Sequence, residues 1–289
     1  MLNFTDAGDR TSPPETLSFL EKSKVLLTGV NVPRPQATRP ASDLATDVET
    51  LTFTSEDEIS LEAWYVNRGD ERPLVILFHG YAAEKSSLIP AAQAFLSLGT
   101  SVMLVDFRGS GGSSASYTTL GVHEALDVAA AVRFARESLG HSRVVVFGQS
   151  MGSAAILRAI AHHGVEPGGI ILESVFDSMR HTVRNRFHAM GLPAAGGAEL
   201  LVFWGGRQWN FNGFSHKPMD DAKSVNCPAL FLHGALDPRA TLAEARRVYD
   251  AVSSPKVFSS FDDAGHVPLV QHAPERWRKK VSDLLAEVE

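Results

Sequence analysis

The order of apolar and polar positions divides most of the chain into strands and helices. Val48–Thr54 and Ile59–Val66 alternate with a period of two residues, and the polar run Ser55–Glu58 separates them. This pattern predicts a β-hairpin. The apolar runs that follow are short, continuous and rich in β-branched residues, which is typical of strands buried on both faces of a parallel sheet.

These buried strands are predicted at Leu74–Phe78, Val102–Val105, Val144–Phe147, Ile170–Leu172 and Leu230–Leu232, with a last strand at Lys256–Phe261. Helical patterns occupy Ser86–Leu98, Val122–Leu139, Met151–Ala161, Thr241–Val252 and Pro274–Val288. Because strands and helices alternate, the sequence predicts an α/β fold. It has a mostly parallel central sheet, the antiparallel N-terminal hairpin at one edge and helices on both faces.

The beginning of the chain does not follow this alternation. We predict that residues 1–45 form an N-terminal arm ahead of a main domain at residues 46–289. Ser12 and the prolines after it predict the start of a helix that continues to about Leu27. Three prolines between positions 33 and 40 then favour an extended connector. The arm could be an accessory or dimerising element, but a surface helix packed on the main domain is the simpler interpretation.

Residues 176–226 also interrupt the alternation, and we interpret them as a lid-like insertion. They hold seven of the twenty Phe and Trp residues of the chain. An aromatic segment above a site suggests an apolar pocket that excludes water, although each ring could instead anchor the segment to the sheet. Four arginines of the segment could bind a substrate carboxylate or could simply be solvated: Arg180, Arg184, Arg186 and Arg207.

The composition and net charge of the chain exclude several classes of protein. Of the 289 residues, 44% are hydrophobic and 21% are charged, close to the average for soluble globular proteins. The net charge of −6 gives no electrostatic footprint for nucleic acid. There is no apolar run of about 18 residues and no signal-peptide pattern, so we expect no membrane span. Cys227 is the single cysteine, which excludes an internal disulfide and fits a reducing, cytoplasmic location.

The motif Gly148-Gln149-Ser150-Met151-Gly152 carries the most chemistry. It lies between a predicted buried strand and a predicted helix, which is the context of the G-x-S-x-G nucleophile elbow. A side chain at position 148 or 152 would collide with the neighbouring backbone. The tight turn exposes the Ser150 hydroxyl at the carboxyl end of the sheet, where α/β sheets bind their ligands. Ser150 is therefore the predicted nucleophile.

A serine nucleophile needs a base and an orienting carboxylate, and in this architecture the chain order is serine, acid, histidine. Asp237 lies on the loop after the fifth buried run, and His266 lies on the loop after the last strand. Both loops are expected at the same edge of the sheet, so we predict Asp237 as the acid and His266 as the base. Asp262 and Asp263 lie too close in sequence to His266 to orient it, and we interpret them as surface or turn residues.

Three other residues compete for these roles. Glu173 directly follows a predicted strand and is the alternative acid. His79 and His233 each end a strand before a glycine and are the alternative bases. Because His79 precedes the serine and His233 precedes the acid, neither fits the expected order. We interpret His79 as a residue that braces a loop.

The oxyanion that develops during acyl transfer needs two backbone N–H donors. Met151, the first residue of the elbow helix, is one candidate, because the helix dipole there also favours negative charge. The other should come from the loop after the first buried strand. Gly80 lets that loop turn, and the Tyr81 N–H is the second candidate.

Together these residues resemble the α/β-hydrolase superfamily over roughly Val48 to the C-terminus. Phe78-His79-Gly80, Asp106–Ser113 and the elbow are similar to motifs of small-lid serine hydrolases, which include esterases, acyl-thioesterases and proline-aminopeptidase-like enzymes. The resemblance implies hydrolysis of an ester, thioester or amide bond without a cofactor. Tyr81 stands where hormone-sensitive-lipase-like esterases have the second glycine of His-Gly-Gly-Gly, which argues against bulky tertiary-alcohol esters.

The sequence lacks the motifs for dinucleotide, phosphate or zinc binding. The run Gly109–Ser114 lacks the third glycine of a dinucleotide fingerprint, and the chain has no phosphate loop and no H-E-x-x-H zinc motif. We therefore expect neither a cofactor nor a catalytic metal, and predict a serine hydrolase that cleaves a small carboxylic ester through an acyl-enzyme. An aminopeptidase or acyl-peptide hydrolase, an acyl-thioesterase, and a non-catalytic binding module on the same fold are the alternatives. The natural substrate, the acyl length and the oligomeric state stay open.

Overall fold

The computed structural model describes residues 2–5, 11–12, 18, 20–21 and 32–288. Eight strands in this part form one sheet, and each coincides with one of the predicted strands to within two residues at either end. They are β1 (Glu49–Thr54), β2 (Ser60–Val66), β3 (Leu74–Phe78), β4 (Val102–Val105), β5 (Val144–Gln149), β6 (Gly169–Glu173), β7 (Ala229–Gly234) and β8 (Lys256–Phe261). Their order across the sheet is β1-β2-β4-β3-β5-β6-β7-β8.

The strand directions confirm the predicted architecture. The hairpin partners β1 and β2 are antiparallel, β2 is antiparallel to β4, and the strands from β3 to β8 pair in parallel. Because these six strands are parallel, their carboxyl ends meet at one edge of the sheet. The loops that follow β3, β5, β6, β7 and β8 therefore share the edge at which α/β sheets bind ligands.

Helices connect the strands on both faces of the sheet. Those within residues 32–288 are α1 (Ile89–Ser97), α2 (Glu124–Glu137), α3 (Met151–His162), α4 (Met179–Ala189), α5 (Gly197–Gln208), α6 (Pro218–Asp221), α7 (Leu242–Ala251), α8 (Leu269–His272) and α9 (Pro274–Val288). The helix predicted from Ser86 begins later, because Lys85–Leu88 forms a 3-10 turn. Across the described residues, every helix is too short or too polar to cross a membrane.

The buried strands explain why their sequences are apolar at every position. In β3, Leu74, Ile76 and Phe78 belong to a hydrophobic cluster that also contains side chains of α2 and α3. The intervening Val75 and Leu77 belong to a second cluster, with side chains of α1 and α9. Successive residues of a strand point to opposite faces, so a sheet covered on both faces needs apolar residues throughout.

The predicted arm helix from Ser12 to Leu27 lies almost entirely outside the described residues. Residues 2–5, by contrast, contact the main domain, because the Phe4 N–H donates to the Ser116 carbonyl at 2.7 Å. The Thr5 N–H donates to the Val32 carbonyl within the arm, at 2.9 Å. The contact with the main domain could not be predicted from the sequence, because four residues are too few to show a periodic pattern.

One ion-pair network is buried beneath the loop that follows β4. The guanidinium of Arg108 is fully buried and pairs with the equally buried Asp127 at 2.7 Å and with Asp57 at 2.6 Å. Burial opposes the charge on Arg108, but the two carboxylates outweigh it and raise the pKa of the guanidinium above its ordinary value. Since Asp57 lies in the hairpin turn and Asp127 in α2, the network ties three parts of the chain together.

Removing Asp127 should therefore destabilise the fold strongly. We expect Asp127→Ala to lower the free energy of unfolding by about 3 kcal/mol, because it leaves a buried guanidinium without its main partner. Arg133→Ala, which breaks an exposed pair with Glu56, serves as the control and should cost less than about 1 kcal/mol. Urea unfolding followed by circular dichroism measures both values. If the two variants lost similar amounts of unfolding free energy, the buried Arg108–Asp127 pair would contribute no more than the exposed pair.

Candidate active site

Ser150 occupies the sharp turn between β5 and α3. Its backbone has φ +53° and ψ −107°, a conformation that non-glycine residues rarely adopt. Such a residue costs on the order of 1–3 kcal/mol and persists only where its surroundings hold it. The Ser150 N–H donates to the carbonyl of Glu173 at 2.7 Å, and its carbonyl accepts from the Ala154 N–H at 3.2 Å. The strained turn is thus fixed on both sides.

Two glycines allow this turn to form. A Cβ atom added at Gly148 would lie 2.5 Å from the carbonyl carbon of Gly152, and one added at Gly152 would lie 2.5 Å from the carbonyl oxygen of Phe78. Both distances are shorter than real side chains tolerate. The structure therefore agrees with the steric reason that the sequence analysis gave for both glycines, and it identifies β3 as the strand that α3 approaches.

The structure brings Asp237 and His266 into direct contact. His266 Nδ1 lies 2.7 Å from Asp237 Oδ2, although the two residues are on different loops, after β7 and β8. Asp237 Oδ1 also accepts hydrogen bonds from the backbone N–H groups of Arg239 and Ala240. Burial opposes ionisation of Asp237, but these hydrogen bonds and the His266 ring outweigh it, so the pKa of the carboxyl is below its ordinary value. An ionised carboxylate that accepts from Nδ1–H leaves Nε2 of His266 free to take a proton.

The hydroxyl of Ser150 makes no hydrogen bond to any residue in the described part of the chain. Hydrogen bonds between catalytic groups are often long without substrate and shorten in the reactive complex. The structure therefore shows the contact between the predicted acid and the predicted base, and it shows Ser150 on the sharp turn after β5. The contact between Ser150 and His266 stays a prediction.

The two competing histidines have other partners. His79 is fully buried; its Nδ1 bonds to the Gly80 carbonyl at 2.8 Å, and its Nε2 accepts from the Phe107 N–H at 3.1 Å. His79 thus ties the loop after β3 to the loop after β4. His233 donates from Nε2 to the Ala240 carbonyl at 2.8 Å and so braces the loop that carries Asp237. Burial lowers the pKa of both rings, which keeps them neutral.

The alternative acid, Glu173, does not contact the His266 ring by a hydrogen bond. Its carboxylate accepts instead from the Gln149 side chain at 2.9 Å, the Leu269 backbone N–H at 3.2 Å and the Trp277 indole at 3.0 Å. Among the described carboxylates, it is Asp237 that is bonded to His266. This geometry supports the prediction of Asp237 over Glu173.

One predicted oxyanion donor follows Ser150 directly, and the other lies on a loop that passes beside it. Met151 is the first residue of α3, where a helix leaves its backbone N–H groups without intrahelical partners. A Cβ added at Gly80 would lie 3.7 Å from the Ser150 Cβ, so the loop that carries Tyr81 runs beside the nucleophile. The backbone N–H groups of Met151 and Tyr81 remain the predicted oxyanion donors.

Residues 176–226 reach both loops of the site. The Arg186 guanidinium of α4 lies 5.0 Å from the centre of the Tyr81 ring, and the neighbouring Asn185 donates to the carbonyl of Arg239, two residues after the predicted acid. Arg180 and Arg184 are less available to a substrate, because both pair with Glu199 of α5.

The aromatic residues of the same segment divide into two groups. Phe176 and Phe187 are buried, and Trp209 stacks on Tyr117 with ring centres 3.8 Å apart, so these rings anchor the segment to the rest of the domain. Phe203 and Trp204 of α5 are 51% and 63% exposed. Together with Leu200 and Leu201 they form an outward apolar face, which the sequence analysis did not distinguish from the anchoring rings.

One group of residues could supply metal ligands. Atoms of Asp177, His181 and Glu244 lie within 4.8 Å of one another. Asp177 already bonds to His181 at 2.8 Å and to the Arg247 guanidinium at 2.7 Å. Because a guanidinium is in contact with this carboxylate, the group fits an ion-pair network between α4 and α7 better than a cation site.

The single cysteine lies away from this chemistry. Cys227 is partly buried just before β7. Burial raises the pKa of its thiol to about 11. The thiol is therefore protonated at neutral pH and has little nucleophilic character.

Comparisons with known proteins agree with this arrangement. Residues 73–190, which include β3 and the elbow, match the family model described as the alpha/beta hydrolase fold. In overall structure the chain is similar to an esterase of Pyrococcus furiosus, with a TM-score of 0.73 and 25% sequence identity. That alignment covers 89% of this chain and 97% of the esterase.

Two other proteins are similar to this chain in sequence. An uncharacterised protein of Mycobacterium tuberculosis is 26% identical over 221 residues, or 75% of this chain and 71% of that protein. The lysophosphatidylserine lipase of Rattus norvegicus is 24% identical over 213 residues, or 69% of this chain and 50% of the lipase. This chain thus matches about half of the lipase's length.

The close approach at the elbow predicts the effect of a single methyl group. Gly152→Ala should lower the free energy of unfolding by about 1–3 kcal/mol, because the methyl would overlap the backbone of β3. Gly265→Ala is the matched control, since its added Cβ would meet only the Leu236 carbonyl oxygen, at 3.9 Å. Thermal and urea unfolding of both variants measure the difference. Equal stabilities would show that the elbow has room that the structure does not indicate.

Proposed function

This chain is an α/β-hydrolase by fold, and from that premise we propose that it hydrolyses carboxylic esters through an acyl-enzyme on Ser150. The observation that carries the proposal is the 2.7 Å contact between His266 Nδ1 and Asp237 Oδ2, made by loops that share one edge of the sheet with the Ser150 elbow. An imidazole oriented by a buried carboxylate beside a strained serine is the arrangement that acyl transfer needs.

In the proposed reaction, the Ser150 hydroxyl oxygen attacks the ester carbonyl carbon while His266 Nε2 takes the hydroxyl proton. The resulting imidazolium is stabilised by ionised Asp237, and the oxyanion accepts hydrogen bonds from the N–H groups of Met151 and Tyr81. The intermediate collapses, the C–O bond to the alcohol breaks, and His266 gives its proton to the leaving alkoxide oxygen. A water molecule then attacks the acyl-enzyme by the same route and releases the carboxylic acid and free Ser150.

We also propose that residues 176–226 act as a lid of the catalytic domain, residues 46–289, with residues 1–45 as an arm outside it. Two contacts support this role for the segment. Arg186 lies over the ring of Tyr81, and Asn185 bonds to the backbone of the loop that carries the acid. A segment that touches both loops can limit the access of water to the reacting ester.

An ester of a lipid is a second candidate substrate class. The apolar face of α5 lies within the proposed lid and exposes Leu200, Leu201, Phe203 and Trp204. Exposed apolar patches of this kind often mark sites that bind apolar ligands or surfaces. The sequence similarity to a lysophosphatidylserine lipase points the same way.

The proposal predicts that hydrolysis depends on the hydroxyl of Ser150. Wild type should hydrolyse p-nitrophenyl acetate and butyrate, and Ser150→Ala should lose at least about 10³-fold in kcat. Asp237→Asn should lose about 10⁴-fold, because the imidazole is no longer held in the required tautomer. Ser97→Ala, which removes a hydroxyl bonded within α1, is the control and should retain wild-type kinetics.

A substrate panel separates the alternatives. Rates are measured for p-nitrophenyl esters of increasing acyl length, a lysophospholipid, an acyl thioester and an aminoacyl naphthylamide. Faster turnover of the naphthylamide or the thioester than of any ester would replace the ester assignment. Equal ester hydrolysis by wild type and Ser150→Ala would end the ester proposal. No ester hydrolysis by wild type, together with no labelling of Ser150 by a fluorophosphonate, would favour a binding module on this fold.

A further inference from the structure

The carboxylate of Glu173 lies at the end of β6, between the nucleophile elbow and the loop that carries His266. It is 1% exposed. On the elbow side, Oε1 accepts from the Gln149 side chain at 2.9 Å, and the Glu173 carbonyl accepts from the Ser150 N–H at 2.7 Å. One residue therefore contacts both the nucleophile and the residue before it.

On the other side, the same carboxylate contacts the chain that follows His266. Oε1 also accepts from the backbone N–H of Leu269, three residues after the histidine, and Oε2 accepts from the indole of Trp277 in α9. Glu173 thus joins the end of β5, just before Ser150, to the segment that follows His266. The Asp237–His266 pair does not make this connection, because it joins the loop after β7 to the loop after β8.

The hydrogen-bond partners select one protonation state. Gln149 Nε2, the Leu269 N–H and the indole N–H can only donate toward the carboxylate, so a protonated Glu173 would have no acceptor for its own hydrogen among them. Burial raises the pKa of Glu173, while the donors and the nearby His266 ring oppose that rise. The three donors thus favour the ionised carboxylate, which burial opposes, in the interior close to His266.

We propose that Glu173 is a positioning residue for the hydrolysis proposed above, on which this inference rests. Its carboxylate holds the His266 loop against the elbow, and its charge stabilises the imidazolium that forms when Ser150 attacks. Glu173 touches neither the substrate nor the reacting atoms. It acts through His266, as Asp237 also does. Of these two acidic groups, only Asp237 is hydrogen-bonded to the ring.

The described part of the chain places three titratable groups where they interact with the His266 ring. Asp237 is bonded to it, Glu173 interacts with it through space, and His233 is also near enough to affect its charge. Burial lowers the pKa of His233, so His233 is neutral near pH 7. Removing the charge of Glu173 while Asp237 stays intact should therefore make the imidazolium of His266 less stable.

Glu173→Gln tests this inference with little change of shape. We expect kcat for p-nitrophenyl butyrate to fall about 10–100-fold with KM nearly unchanged, because the base is displaced relative to the serine. The acidic limb of kcat/KM, which reports protonation of the base, should move to lower pH by roughly half a unit or more. Glu173→Asp retains the charge and should restore the wild-type position of the limb.

Asp263→Asn is the matched control for charge. It also removes one negative charge, three residues from His266, but from an exposed side chain that pairs with His272. Its pH profile should match that of wild type. If Glu173→Gln and Asp263→Asn both leave the limb unmoved, or both move it equally, the proposed role of Glu173 is wrong.

An NMR titration of the His266 imidazole gives a readout that needs no substrate. In wild type and Glu173→Asp the ring should titrate at the same pH, and in Glu173→Gln it should titrate lower. If wild type hydrolyses no ester but this shift is present, the proposed function fails while the coupling stands. If wild type is active and no shift appears, the coupling fails while the function stands. Near-ultraviolet circular dichroism identifies a variant that has not folded. If Glu173→Gln does not fold, Glu173→Asp decides the outcome, because its shorter side chain keeps the charge but should still lower kcat, and a wild-type kcat would contradict the positioning role.

Discussion

The close packing of α3 against β3 is the constraint on which the rest of the site depends. Ser150 keeps its unfavourable backbone conformation because Gly148 and Gly152 let the helix approach the sheet without a side chain between them. A wider spacing would let the turn relax and would remove the serine from the edge of the sheet. The same close approach places the loop after β3 beside Ser150, where Gly80 faces the Ser150 Cβ.

Buried polar groups fix the loops around this edge. His79 ties the loop after β3 to the loop after β4, and His233 closes the loop that carries Asp237. Lys85 adds a buried ion pair with Asp106, so the two loops near the elbow are joined by charge as well. Each of these side chains makes hydrogen bonds to neighbouring parts of the protein, which makes it a support for the site.

The strands and the order of the predicted site residues could be read from the sequence because both follow simple periodic or positional rules. Continuous apolar runs predicted the parallel strands, since each is covered on both faces. Asp237 and His266 were predicted because the acid and base must follow the serine on strand-end loops, and the structure brings these two into contact. The sequence also favoured a bracing role for His79, which its two backbone hydrogen bonds support.

Other features could not be predicted because they depend on contacts between residues far apart in the chain. The role of Glu173 requires knowing that the N–H groups of Leu269 and Trp277, about a hundred positions later, point toward it. The outward face of α5 could not be separated from the anchoring rings, since Trp204 and Trp209 look alike in a sequence and differ only in burial. The packing of residues 2–5 on Ser116 likewise has no local pattern.

The protonated thiol of Cys227 has a practical consequence for following motion in this molecule. Thiol reagents react with the thiolate, so the native cysteine should react slowly near neutral pH. A fluorophore or spin label could therefore be attached to a cysteine introduced on the exposed face of α5 while the native residue is kept. Distances measured from that label would report how α5 moves relative to the sheet.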